Sequence, residues 1–168
     1  RFFDERPGIA SPPDALPVPA PIRHGITFEN VGFRYPGAGR WAVRDLSFHL
    51  NAGETVALVG ENGAGKTTIV KLLARLYDPT EGRILLDGRD LRDYDLDQLR
   101  AALGVIFQDF VRCAMSASDN IAAGRIEART DRPRIETAAE RALADQVIAK
   151  LPAGYDQMVG KRFAHGLD

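Results

Sequence analysis

Apolar residues divide the first half of the chain into short strands separated by turns. The stretch Ile26–Tyr35 is rich in strand-forming residues and closes at Pro36-Gly37, which is a turn signal. A second strand is predicted over Trp41–Leu50. Its apolar members are Val43, Leu46, Phe48 and Leu50. A third strand, Arg83–Gly88, is predicted to end in a tight turn.

Two other apolar runs have the character of buried strands. Thr55–Val59 is short and β-branched, as a buried parallel strand should be. Val105–Phe107 is predicted to be buried as well, after a short helix at Leu96–Ala102. A longer helix follows the first run, and we expect its apolar face to pack on that strand. The residues at helical spacing are Ile69, Leu72, Leu73 and Leu76.

The two ends of the chain differ in pattern. Residues 1–25 hold many of the prolines and little periodicity, which indicates a linker or a docking arm with a partner upstream. Near the other end, Asp131 before Pro133 is typical of a helix start, and Leu151-Pro152 ends the helical pattern. The apolar residues between them are Ile135, Ala138, Ala139, Ala142, Leu143, Val147 and Ile148.

A glycine-rich loop lies between Thr55–Val59 and the helix that follows. It reads Gly60-Glu61-Asn62-Gly63-Ala64-Gly65-Lys66-Thr67-Thr68 and fits the phosphate-binding pattern G-x-x-x-x-G-K-[ST]. Glycines let successive backbone N–H groups surround a phosphate, and Lys66 adds a positive charge. Thr67 opens the helix, where the dipole favours an anion and a hydroxyl can bind Mg²⁺. The alternative is a glycine-rich turn with an unrelated lysine.

Size and charge narrow the class of protein. The 168 residues suit one domain with a real core, and the net charge of -1 argues against a strongly basic nucleic-acid surface. No apolar run approaches the roughly 20 residues that a membrane helix needs. The single cysteine, Cys113, has no partner for an internal disulfide and no evident activating neighbour in sequence.

The order of these landmarks resembles the nucleotide-binding domain of an ATP-binding cassette (ABC) transporter. The resemblance is greatest to exporters in which this domain follows a membrane domain on the same polypeptide, and it runs from about Ile26 to Asp168. It implies an α/β P-loop NTPase fold with an antiparallel β subdomain and a partial helical subdomain, incomplete at its C-terminus. Residues 1–25 would then be the connector from the membrane domain, and Arg1–Pro7 resembles its start.

The resemblance also assigns roles to single residues. Tyr35 matches the aromatic residue that stacks on adenine, and a flat ring suits any purine, although it also suits strand packing. Gln108 matches the family's glutamine loop, which reaches Mg²⁺ and the attacking water, so Thr67 and Gln108 are the implied metal ligands. Ser118–Ile121 and Leu151–Gly160 resemble the helical subdomain that faces the membrane domain.

Several parts of such a motor are missing from the sequence. It contains no LSGGQ-like signature, no buried strand ending in Asp-Glu and no histidine in the place of the switch histidine. Asp87 and Asp109 are followed by Gly88 and Phe110, so neither supplies the acidic pair. We therefore expect the chain to be truncated before the signature, and to bind Mg-ATP weakly with negligible hydrolysis.

The resemblance implies a function and its partners. Two complete domains would close head to tail around ATP and Mg²⁺ at the cytoplasmic face of the cell membrane, and closure would drive export by a transmembrane domain. No nucleic-acid partner is expected. Three alternatives stay open: a regulatory nucleotide-binding module without hydrolysis, a soluble cassette ATPase outside transport, and a small-molecule kinase or GTPase that shares only the phosphate loop.

Overall fold

The computed structural model describes residues 8–107 and 113–160. They fall into two compact units that divide after Ile106. The first unit contains an antiparallel sheet and two helices, and the second contains three short helices. Within the described residues, no helix is long and apolar enough to cross a membrane.

The sheet of the first unit has four antiparallel strands in the order β2-β1-β3-β4. Their bounds are Ile26–Phe33 (β1), Val43–Leu50 (β2), Glu81–Leu86 (β3) and Arg89–Asp90 (β4). All three strands predicted on either side of the phosphate loop are therefore present, with ends shifted by about two residues. The prediction of an antiparallel β subdomain is confirmed.

The core of the sheet forms on β1, an inner strand that pairs along most of its length with both β2 and β3. Its register places Phe28 opposite Phe48 of β2 and Ile84 of β3. The Phe28 and Phe48 rings stack with centroids 4.4 Å apart. Phe28 and Ile84 are almost completely buried, so this crossing of aromatic and branched side chains anchors the three strands to one another.

The β3–β4 hairpin turns at Asp87-Gly88, where the sequence predicted a tight turn. Both residues have positive φ, 48° and 79°, as a two-residue type I′ turn requires. Glycine adopts this conformation freely, and aspartate is among the side chains that tolerate it.

Helix α1, Lys66–Leu73, follows the glycine-rich loop as predicted. It packs against the antiparallel sheet, whereas the sequence predicted that it packs on Thr55–Val59. Its buried Ile69 and Leu72 join the core formed by β1 and β3. Leu76 lies past the end of the helix and is 42% exposed. The second helix, α2, spans Leu96–Ala101 and begins at Asp95, whose carboxylate accepts a hydrogen bond from the Gln98 N–H.

Two predictions of buried strands were wrong. Thr55–Val59 forms no strand, and Val56, Leu58 and Val59 are 46%, 41% and 91% exposed. Val105–Phe107 likewise forms no strand, and Ile106 is 93% exposed. A strand exists only through hydrogen bonds to a neighbour, and within residues 8–107 and 113–160 neither run pairs with a strand of the sheet.

The proline-rich segment is a docked arm over its described part, residues 8–25. Leu16 exchanges backbone hydrogen bonds with the turn before α2, donating to Asp93 and accepting from Asp95. Val18 packs against the core. Further back, the buried guanidinium of Arg75 donates through Nη2 to the Ala10 carbonyl at 3.2 Å.

The C-terminal end of the arm, residues 23–25, is held by the side chain of Asp87 in the β3–β4 turn. Its carboxylate accepts backbone N–H bonds from Arg23, His24 and Gly25, the shortest being 2.7 Å from His24. The hydrogen bond from the Arg23 N–H, with those from His24 and Gly25, holds the pKa of this carboxyl below its usual value against the opposing effect of desolvation.

The second unit is helical, as the resemblance implied for this part of the chain. Its helices are Ala117–Ala122 (α3), Arg132–Arg141 (α4) and Asp145–Ile148 (α5). Asp131 caps α4 by accepting from the Arg134 N–H, at the predicted start. The predicted helical pattern is interrupted at Leu143, whose φ is 58°. Ala117, Ala139 and Ile148 form the small core of this unit.

The phosphate loop meets the sheet at Gly65. A Cβ at this position would lie 2.5 Å from the Ala42 carbonyl oxygen and 2.5 Å from the Val43 side chain, and Gly65 has a φ of 86°. Gly63 has nearly the same φ, 87°, but nothing lies within 4 Å of its Cβ position. Gly65 is therefore required both by its positive φ and by the lack of space for a side chain, whereas Gly63 is required by its positive φ alone.

We predict that Asp87→Asn lowers the free energy of unfolding at neutral pH, because the carboxylate that orders the arm loses its charge while the turn conformation is retained. The folded pKa is lowered, so this stabilisation is fully present above the unfolded pKa of about 4 and is lost as the pH falls through the folded pKa. Urea unfolding at several pH values should show the gap between the wild-type chain and the variant closing in acid.

The control for this experiment is Asp14→Asn, which removes an exposed carboxylate from the same arm. It should leave the stability nearly unchanged at every pH. An equal loss in both variants would show that overall charge, rather than the hydrogen bonds to Asp87, sets the effect.

Gly65→Ala and Gly63→Ala form a matched pair. We expect Gly63→Ala to cost about 1 kcal/mol from its positive φ alone. Gly65→Ala should cost a further 1–3 kcal/mol, roughly, because the strand must move away from the new methyl group. Chemical denaturation of both variants measures the difference, and equal losses would mean that the close approach to Ala42 is not a constraint.

Candidate functional site

The motif Gly60–Thr68 consists of a loop, residues 60–65, and the first turn of α1, which begins at Lys66. The Ala64 N–H donates to the Glu61 carbonyl at 3.2 Å, which closes a turn inside the loop. Gly63 and Gly65 both adopt left-handed conformations, and α1 begins at Lys66 without a side-chain cap from any described residue. The first N–H groups of the helix are left for an anion, which the positive end of the helix dipole also favours.

Lys66 folds back over the loop. Its Nζ donates to the carbonyl oxygens of Gly60 and Glu61, each at 2.6 Å. The ammonium group therefore lies across the mouth of the loop and satisfies two carbonyls near its start. A polyphosphate in the loop would offer stronger, charged acceptors to the same group.

The two threonines at the start of α1 point in different directions. Thr67 is exposed, whereas Thr68 is 5% exposed. Consecutive helical residues differ by about 100°, so Thr67 lies on the solvent side of the helix and Thr68 on the core side. Among described residues no group of three or more His, Cys, Asp or Glu side chains could hold a metal ion. A hydroxyl such as that of Thr67 suits Mg²⁺ that arrives already bound to phosphates.

Tyr35 lies beside α1, where several groups fix it. A turn closed by the Ala38 N–H and the Tyr35 carbonyl holds its backbone. Its hydroxyl is 3.2 Å from the Thr68 Oγ1, and its ring contacts Phe33 and Tyr77 edge to face at 4.9 and 5.3 Å. The Lys71 ammonium lies 5.5 Å from the ring centre. The structure thus brings Tyr35 next to the glycine-rich loop, although they are about 30 residues apart in sequence.

Sequence reasoning missed two residues that lie at this site. It also predicted a third, whose position the structure does not describe. Tyr77 and Lys71 contact Tyr35, and the only sequence signal for them was their nearness to the predicted α1. Gln108 lies outside the described residues, so its role as a ligand of Mg²⁺ together with Thr67 stays a prediction.

Comparison with known proteins identifies relatives of this chain. A family model described as ABC transporter matches residues 43–163. The putative multidrug export ATP-binding/permease protein YgaD of Bacillus subtilis (strain 168) is 43% identical over 141 residues, covering 84% of this chain and 24% of that protein. The ATM1-type heavy metal exporter of Novosphingobium aromaticivorans is 44% identical over 162 residues, covering 96% and 26%.

A solved structure supports the same relationship. The structure of a bacterial Atm1-family ABC exporter with ATP bound matches with a TM-score of 0.83 and 44% sequence identity, covering 96% of this chain and 27% of that one. This chain therefore spans about a quarter of the length of these relatives. The expected P-loop NTPase fold is confirmed, and the chain belongs to the ABC transporter family.

Proposed function

We propose that this chain binds Mg-ATP through the loop Gly60–Thr68 and is part of the motor of an exporter. The observation that carries the proposal is the loop itself: two left-handed glycines, an uncapped helix N-terminus and the Lys66 ammonium converge on one short segment. All three favour a dense negative charge, and a triphosphate carries one.

Each residue of the site has a proposed role. The amides of the loop, which comprises Gly60, Glu61, Asn62, Gly63, Ala64, Gly65, Lys66, Thr67 and Thr68, surround the phosphates. The Lys66 ammonium exchanges the carbonyls of Gly60 and Glu61 for the β and γ phosphates. Tyr35 stacks on adenine, since its ring is held beside the same helix.

Thr67 and Gln108 are the proposed ligands of Mg²⁺. The ion, when bound with the nucleotide, neutralises charge that builds up on the phosphates during transfer. The exposure of Thr67 at the first turn of α1 fits this role, because its hydroxyl is free of the core. A hydroxyl and an amide oxygen are suitable ligands for a hard cation.

In the longer protein, we propose that residues 26–168 act within a nucleotide-binding domain and that residues 1–25 connect it to a transmembrane domain. Two such domains would close around ATP at the cytoplasmic face of the membrane, and hydrolysis would reopen them. The relatives named as exporters support this proposal. The docked arm supports it too, because backbone hydrogen bonds fix the chain on the body of the first unit just before β1.

Lys66→Ala should weaken binding of Mg-ATP by about 10- to 100-fold, the effect of losing one or two charge-assisted hydrogen bonds. Isothermal titration calorimetry measures the affinity, and circular dichroism checks the fold. The matched control is Lys150→Ala, which removes the same charge from an exposed position in the second unit. Unchanged affinity in Lys66→Ala would refute the assignment of the loop.

The motor can be distinguished from a regulatory module by turnover. The full-length protein in lipid vesicles should release phosphate from ATP, and Lys66→Ala should reduce that rate to background. A protein that binds ATP with the same dependence on Lys66 but releases no phosphate would instead be a nucleotide-binding switch.

A further inference from the structure

We propose that Thr68 is a positioning residue for base recognition, because its hydroxyl holds the Tyr35 ring in the orientation that receives the nucleobase. The inference rests on the proposed binding of ATP and adds a role that reaches beyond the phosphates. It is carried by the hydrogen bond of 3.2 Å between the Tyr35 hydroxyl and the Thr68 Oγ1.

Burial makes this hydrogen bond specific. Thr68 is 5% exposed and faces the core side of α1, while its neighbour Thr67 faces outward. A buried hydroxyl needs a partner, and Tyr35 supplies one from a different part of the chain. The β-branched side chain of Thr68 has two common χ1 rotamers in a helix, and in the one present its hydroxyl lies within hydrogen-bond distance of Tyr35.

The remaining contacts of Tyr35 leave one motion for this bond to restrict. The turn over residues 35–38 fixes its backbone, with Gly37 at a φ of 76°. The Phe33 and Tyr77 rings, which themselves lie 5.2 Å apart, contact its ring edge to face. These aromatic contacts, and the Lys71 ammonium 5.5 Å from the ring centre, leave the hydroxyl end of the ring to the hydrogen bond with α1, which sets the tilt of the ring.

The consequence is that base and phosphates are read by one rigid unit. α1 carries Lys66 and Thr67 at its first turn, and Thr68 ties the Tyr35 ring to that same turn. A platform ordered in advance costs the nucleotide less conformational entropy on binding. Losing the tether should therefore weaken the contribution of the base more than that of the phosphates.

The test compares two ligands, Mg-ATP and Mg-tripolyphosphate, which share the phosphate chain but differ in the base. Calorimetry on this chain gives the ratio of the affinity for Mg-ATP to the affinity for Mg-tripolyphosphate. Tyr35→Phe keeps the flat ring and removes the hydroxyl, and we expect it to lower the ratio about fivefold, the effect of one neutral hydrogen bond. Thr68→Val should lower the ratio by a similar factor, whereas Thr68→Ser keeps the hydroxyl and should preserve the ratio.

The double variant separates a tether from two independent contacts. With both hydroxyls removed, the ratio should fall no further than in either single variant, because the two changes break the same bond. The matched control is Tyr94→Phe, which removes a buried tyrosine hydroxyl elsewhere in the first unit, bonded to the Leu86 carbonyl at 2.8 Å. It should leave the ratio unchanged even where it lowers stability.

The outcomes are distinct. If the wild-type chain binds neither ligand, the proposed function fails and this inference fails with it. If the wild-type chain prefers Mg-ATP and Tyr35→Phe keeps that preference, or if the effects of Tyr35→Phe and Thr68→Val multiply, only the role of Thr68 is overturned.

Discussion

The packing of α1 against the antiparallel sheet is the constraint on which the rest of the first unit depends. Leu72 is 1% exposed and lies in one core with Phe28 and Ile84, the residues that join β1 to its neighbours. This packing fixes the direction of the helix axis, and thereby the point at which its free N–H groups emerge. Gly65 then brings the loop to the beginning of β2, where no Cβ fits. The glycine-rich loop has few side chains that restrict its backbone, but its C-terminal end is supported by the core beneath α1.

The same helix organises groups at both of its ends. At its first turn Thr68 bonds to Tyr35, and just past its last turn Arg75, 4% exposed, donates to Asp78, to the Tyr94 carbonyl and to Ala10 of the arm. A buried guanidinium needs hydrogen-bond partners, and each of its three nitrogens donates to one of these groups. A displacement of α1 on nucleotide binding would therefore also move the arm. The arm is held on the first unit by its own backbone hydrogen bonds and by the Asp87 carboxylate.

Much of this could be predicted from the sequence because the signals are local. The turn at Asp87-Gly88, the cap at Asp131 and the glycine-rich loop each depend on a few neighbouring residues, and all lie where the sequence indicated. The environment of Tyr35 could not be predicted in this way. Its partners Thr68 and Tyr77 come from a later part of the chain, and only the packing of α1 on the sheet brings them to it.

The failure over Thr55–Val59 has the same origin and a further consequence for the site. An apolar, β-branched run predicts that a segment is suited to a buried strand, but the strand itself requires a partner from elsewhere, and the described residues supply none. The loop is consequently held firmly on the α1 side and weakly on the side of Val59, which is 91% exposed. Lys66 compensates in part, because its bonds to the Gly60 and Glu61 carbonyls tie the start of the loop to the helix that carries it. A polyphosphate that binds the Lys66 ammonium would break these bonds to the carbonyls. It would then have to connect the two sides of the loop itself, by accepting hydrogen bonds from amides on both sides.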